Sequence, residues 1–412
     1  MPKVQIPIDI GYYESDSQRL ANQNCINLYP HNPDTKDPLS TGALLRTPGI
    51  ESTILLGTGP GRGFHKSPVD DRIYAVSGNQ LFFLNTPSVA TLIGTIVGTG
   101  RVSMASNGEV LCLIVPGVTG YFYDFETAVL TEIVDSTFTD MNLRFGGVTS
   151  VALKDFRFFF NNDREIQIGS VIGENKGRNF DGNAFNDITS SSDPIQRLLT
   201  LRNELVVLGS ETIDFFQSDN PTEVFPYARV LGSTIPRGIR SRFGVVQHAD
   251  NIYFLGNSEF ESVGIYRLDF KRSKKISTYA IDTVIQAFTE AELSAVTAWT
   301  YSQDGSSFAG FSFPGITLVY DINSSVMQER PVWHQRASMG SDIWRVQDVV
   351  SSLGVVLVSD NTTADIGRLE RTNTREYGNI ISREFTGSYV FIDSDSFTVS
   401  SVELSSTVGV GV

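Results

Sequence analysis

Five cations crowd one short stretch of an otherwise acidic chain: Arg267, Lys271, Arg272, Lys274 and Lys275. Guanidinium and ammonium groups at this density suit an acidic protein partner or a nucleic-acid phosphate, so the cluster reads as a docking patch; a solvated loop between strand and helix is the plain alternative. Elsewhere the residue types that perform chemistry are present but poorly spaced for it. His31, His65, His248 and His334 form no HxH or HExxH pattern and have no cysteine nearby, so no zinc site is expected. Neighbouring carboxylates, Asp70 with Asp71 and Asp393 with Asp395, would suit acid–base or calcium chemistry in a cleft. With 46 acidic residues in the chain, solvated turns account for them more simply. The run GTGPGRG at residues 57–63 offers backbone amides to an anion, yet it lacks the Lys-Ser/Thr ending of a phosphate loop and leads into a strand, so it reads as a flexible connection. The sequence contains no GxSxG nucleophile elbow. No catalytic residue, cofactor or metal is assigned, and a structural role is expected rather than an enzymatic one.

The composition bounds the fold. The 412 residues exceed the roughly 250 to 300 at which a single core stops growing, which calls for several domains or a repeat architecture. Hydrophobic residues at 41% and charged residues at 19% exclude a disordered chain, and 36 glycines with 27 phenylalanines and 14 tyrosines favour short strands and tight turns. The expected class is all-β. A net charge of -14 argues against a generally basic nucleic-acid-binding face. Cys25 and Cys112 are too few and too far apart for a disulfide framework, which fits folding in a reducing cytoplasm. Residues 1–10 show no cationic start followed by an apolar stretch, and apolar runs such as 111–115 are interrupted by Pro116 and Gly117, so neither a secretory signal nor a membrane span is visible.

From about residue 60 to 370 one phrase recurs: an aromatic, β-branched strand, a tight turn, and a second such strand. Clear copies are RIYAVSGNQLFFLN, DFRFFFNNDREIQIGS and NELVVLGSETIDFFQSD. Each reads as an antiparallel hairpin, with Gly78, Gly209 or Gly256 supplying turns. Copies spaced by roughly 40 to 45 residues match four-stranded propeller blades. The predicted architecture is a β-propeller of about six or seven blades spanning residues 56–371. Residues 1–55 and 372–412 are expected to form a smaller β platform domain. Residues 277–296 break the pattern: Ile281, Ile285 and Phe288 fall at helical spacing and Thr289 with Glu292 resembles a capping box, which predicts two short helices. Residues 173–193, rich in Gly, Asn, Asp and Ser, are expected to be a long loop. The final SSTVGVGV is strand-like and has no polar tail, so the natural chain is expected to continue beyond it.

Several phrases, in order, are similar to those of one family. CINLYP, LLRTPGI, GRGFH, YAVSGNQLF, GRVSMASNG, SDPIQRLLTLRNELVVLGSETIDFF, ISTYAID, FSFPGITLVYD and WHQRAS resemble the packaged-DNA stabilisation, or tail hub (nozzle), proteins of short-tailed bacteriophages. None is a catalytic motif; their number and order carry the resemblance. It implies a virion structural protein made in the host cytoplasm and forming a ring, expected to be a hexamer, below the portal and its adaptor. That ring would extend and close the DNA channel and retain packaged DNA until ejection. It would also anchor a needle or plug and the tailspikes or fibres, with genomic DNA passing without sequence-specific contacts. An acidic channel lining is expected under this reading. The alternative is a carbohydrate-binding or glycan-degrading propeller on the phage surface, which would need a carboxylate constellation at the ring mouth. A cellular scaffold propeller is a third reading.

Overall fold

A computed structural model describes residues 11–14, 22–31, 42–68, 71–170, 175–187, 193–303, 305–352 and 354–387. Its strands are apolar on both faces. In Arg157–Asn161, Phe158 and Phe160 pack on one side with Phe122 and Cys112, while Phe159 faces the other way, towards Leu205 and Val207. Successive side chains of a strand alternate between faces, so a run buried throughout requires a neighbouring sheet on either side. That is the situation of a blade in a propeller.

Seven sheets repeat the arrangement among the described residues. Blade 1 comprises Gly61–Lys66, Ile73–Ser77, Gln80–Thr86 and Val89–Thr95. Blade 2 runs from Ser103–Ser106 to Val129–Glu132, blade 3 from Ser150–Lys154 to Phe180–Asp187, and blade 4 from Ile195–Leu201 to Tyr227–Arg229. In blade 5 both Gly238–Ile239 and Val245–His248 pair with Asn251–Ser258, followed by Glu261–Asp269 and Arg272–Lys275. Blade 6 runs from Thr297–Gln303 to Trp333–Arg336, and blade 7 begins with Val346–Ser352, Val355–Asp360 and Asp365–Glu370. The buried apolar residues fall into seven clusters, each between two adjacent blades, the last joining Leu357 and Ile366 of blade 7 to Ala75 and Phe82 of blade 1. Burying one such phenylalanine contributes about 1.5–3 kcal/mol, and the clusters distribute that gain round the ring.

The ring closes with a strand from far away in sequence. Gly49–Leu55 pairs antiparallel with Asp365–Glu370 as the fourth strand of blade 7, with Leu369 opposite Ile50. Sequence reading placed this strand, within residues 1–55, outside the propeller. Its pairing puts it inside, because a lone strand carries no sequence signal for a partner some 310 residues away. The described parts of the two terminal segments also join blade edges. Asn22–Ile26 lies parallel to Trp333–Arg336 on blade 6 and pairs with Glu384–Thr386, while Arg375–Glu376 continues blade 7 beyond Gly49–Leu55.

The two helices expected within residues 277–296 are Tyr279–Gln286 and Glu290–Ser294, with the Thr289–Glu292 capping box formed. Ile281 and Ile285 are buried between blades 5 and 6, with Phe288 packed beside them. The expected loop at 173–193 instead contains Phe180–Asp187, the outer strand of blade 3. An outer strand is half solvated and anchors through few apolar residues, here Phe180 and Ala184, so its polar composition hid it. Gly78 occupies a turn at φ +54°, whereas Gly256 lies inside Asn251–Ser258, where the Gly238 carbonyl passes too close for a side chain.

Candidate assembly surfaces and the axial cavity

The five clustered cations lie on the outer hairpin of blade 5. Arg267 is on Glu261–Asp269, Lys271 is in the turn, and the other three are on the edge strand Arg272–Lys275. Three are engaged within the fold. Lys271 Nζ is 2.6 Å from Glu204 Oε1 of blade 4, Lys275 Nζ is 2.6 Å from Asp282 of the following helix, and Arg267 is 3.9 Å from Asp269. Arg272 and Lys274 alternate with more covered neighbours and are exposed; among the described residues neither has a carboxylate within ion-pair distance. The turn itself has Phe270 and Lys271 both at positive φ, +45° and +61°, a conformation hairpins usually assign to Asn-Gly. Phe270 is 71% exposed, with the Arg202 guanidinium 3.8 Å from its ring centroid.

The innermost strands surround a cavity of about 210 Å³ on the propeller axis, to which six of the seven blades contribute. Arg101, Arg197, Phe243 and Asp348 dominate its chemistry. Both guanidinium groups lie against the Phe243 ring, at 5.2 Å for Arg101 and 5.3 Å for Arg197. Arg101 forms an ion pair with Asp348 at 2.6 Å and donates to the Gln347 carbonyl, and Asp348 accepts from the Phe64 amide. These contacts tie the segment entering blade 2 to blades 1 and 7. A glycosidase mechanism uses two carboxylates flanking the scissile bond; Asp348 is the single carboxylate among the described residues lining this cavity, and it is occupied by Arg101.

The remaining candidates are dispersed. In residues 57–63, Arg62 is buried and donates to the carbonyls of Gly100 and Gly78, so this run braces the joint between blades 1 and 2. His65 bonds Ser106 at 2.8 Å, and burial holds its imidazole down to about 4; His334, buried beside Arg336, is held down to about 3. No group of three potential metal ligands occurs among the described residues. Asp71 pairs with Lys66, whereas Asp70, Asp393 and Asp395 lie outside the described residues, as does the final SSTVGVGV. Cys25 and Cys112 are both free and buried, and burial pushes the Cys25 thiol up to about 12. No helix among the described residues is long and apolar enough to cross a membrane. Sequence reading missed the axial arginines; the available signal was an arginine interrupting the apolar strand IQRLLTL.

The described residues thus form a closed seven-bladed β-propeller with a small axial cavity. The family profile described as Bacteriophage P22 Gp10, beta-propeller, matches residues 4–374, and the chain belongs to that family. It is 24% identical over 385 residues to the tail hub protein gp10 of Salmonella phage P22, covering 92% of this chain and 79% of that protein. Among solved structures it is similar to the extracellular domain of a hybrid two-component system from B. thetaiotaomicron (TM-score 0.49, 9% identity, 78% of this chain and 40% of that one). It is also similar to the RRP9 WD40 repeats (TM-score 0.45, 9% identity, 79% and 99%). The chain thus spans less than half the length of the first of these structures.

Proposed function

We propose that this chain is the structural subunit of a phage tail hub, a virion component and not an enzyme. The carrying observation is the match to the P22 Gp10 propeller family along nearly the whole chain. In this reading the subunits form a hexameric ring below portal and adaptor, extend the DNA channel, retain packaged DNA, and anchor the needle or plug and the tailspikes or fibres. Cyclic symmetry repeats each subunit contact around the ring, so modest interfaces suffice. The propeller is a rigid wall element, since an apolar cluster ties every adjacent pair of blades round the ring.

The axis of one propeller is not the DNA path. Its cavity of about 210 Å³ is lined by side chains from six blades and cannot admit a duplex whose major groove alone is about 12 Å wide. The channel therefore lies between subunits. The residues preceding Gly49–Leu55, together with residues 372–412, build the platform through which neighbours meet, next to the edges of blades 6 and 7 that their described parts already extend. Arg272 and Lys274 offer a cationic edge to an acidic tail component. The channel lining carries much of the net charge of -14, so that DNA slides without adhering.

Electron microscopy of the purified protein, alone and with portal and adaptor, tests the proposal. A sixfold annulus capping the adaptor is expected. A persistent monomer that releases oligosaccharides from host polysaccharide would overturn it in favour of a glycan-active propeller.

A further inference from the structure

Arg197 stands on the propeller axis without a carboxylate of its own among the described residues. Its Nη1 donates to the carbonyls of Arg242 at 3.1 Å and Val245 at 3.5 Å, and its guanidinium lies against Phe243. Arg101 and Arg242 are close enough to repel it, while Asp348 attracts it. Arg101 is answered by Asp348, yet its Nε is buried without a hydrogen-bond partner among the described residues. Arg242 donates to the Gln196 carbonyl and feels Asp163 at longer range. Three guanidinium groups therefore converge near a cavity lined by a single carboxylate. Burial and the neighbouring Arg101 push the Arg197 guanidinium down to about 10, the mark of a charge held where charge is disfavoured.

We propose that the axial cavity is a binding site for a small oxyanion of the phosphate class, held by Arg197 with Arg101 as the second cation of the lining. The planar guanidinium fork matches two oxygens of such an ion. The cavity has room for the ion with several waters, at about 30 Å³ of liquid volume per water, and lies below the roughly 300 Å³ at which pockets for larger organic ligands begin. A bound oxyanion would bridge blade 4 to the segment entering blade 2 across the axis, and would stabilise the closed ring by mass action. This inference stands apart from the tail-hub reading, since it depends only on the propeller interior.

Equilibrium dialysis of the full-length protein with radiolabelled inorganic phosphate, at constant ionic strength set with chloride, tests it. One saturable site per chain is expected, weakened at least tenfold by Arg197→Gln and tightened several-fold by Asp348→Asn, which removes the opposing charge while keeping an acceptor for the Phe64 amide. If Arg197→Gln does not fold, Arg197→Lys and Asp348→Asn carry the test, and the lysine variant is expected to bind several-fold more weakly than the native chain. No saturable phosphate binding, or binding indifferent to the substitutions at both positions, would overturn the proposal.

Discussion

Ile50 occupies the space that a side chain on Gly367 would need: its Cγ2 lies 2.1 Å from where a β-carbon on Gly367 would stand. The two residues belong to the strands that close the ring, Gly49–Leu55 and Asp365–Glu370. Only a glycine permits that approach, so the fit of the closing strand depends on one missing methyl group.

Gly367→Ala is therefore expected to destabilise the protein by about 1–3 kcal/mol, the usual cost of overpacking a close-fitting site. Truncating the other partner, as Ile50→Ala, should recover part of the loss in the double variant. Urea denaturation measures both, and additive effects would show that the contact does not couple the two strands.

Removal of residues 1–55 takes away the fourth strand of blade 7 and uncovers Leu369, Val358 and a row of unpaired backbone groups. We expect a chain that aggregates or unfolds at clearly lower urea than the full protein, followed by size-exclusion chromatography and circular dichroism. An unchanged midpoint in a monodisperse truncated chain would mean that the ring closes without this strand.

Stability should fall in acid through His65 and His334. Their folded-state values, about 4 and about 3, lie below the ordinary value of 6.5, so the unfolded chain takes up the proton first. Stability fully present above about pH 6.5 is lost as pH falls towards the folded values, at up to about 1.4 kcal/mol per pH unit for each histidine. Asp321 and Glu376, raised by burial, act in the opposite sense and partly offset the slope. Urea midpoints between about pH 7 and 5 should decline less steeply in His65→Gln and His334→Gln. An identical slope in both variants would remove the histidines from the account.

The cationic edge of blade 5 divides into two kinds of residue. Reversing Lys271 breaks its contact with Glu204, a partly exposed pair worth about 0–1 kcal/mol, whereas reversing Arg272 and Lys274 breaks no ion pair among the described residues. The double variant Arg272→Glu/Lys274→Glu should keep its denaturation midpoint while binding another tail component more weakly, as read by co-sedimentation. Unaltered binding would dismiss the edge as a contact.

The sequence by itself determined the repeating unit, because alternation of large apolar residues between two buried faces is written directly into phrases such as RFFFN and ELVVLG. It also determined the helices at 279–294, through local spacing and a capping box that need no distant partner. The ordered phrases of the family were legible for the same reason. Tertiary structure alone decided what depends on pairing across the chain. It recruited Gly49–Leu55 to blade 7, disclosed the polar outer strand Phe180–Asp187, and drew three of the five clustered cations into ion pairs. It also brought Arg101, Arg197 and Asp348, separated by up to 247 positions, onto one axis. Local patterns record what a residue's near neighbours require. A ring brings together residues from its whole length, and no single window of sequence contains both partners.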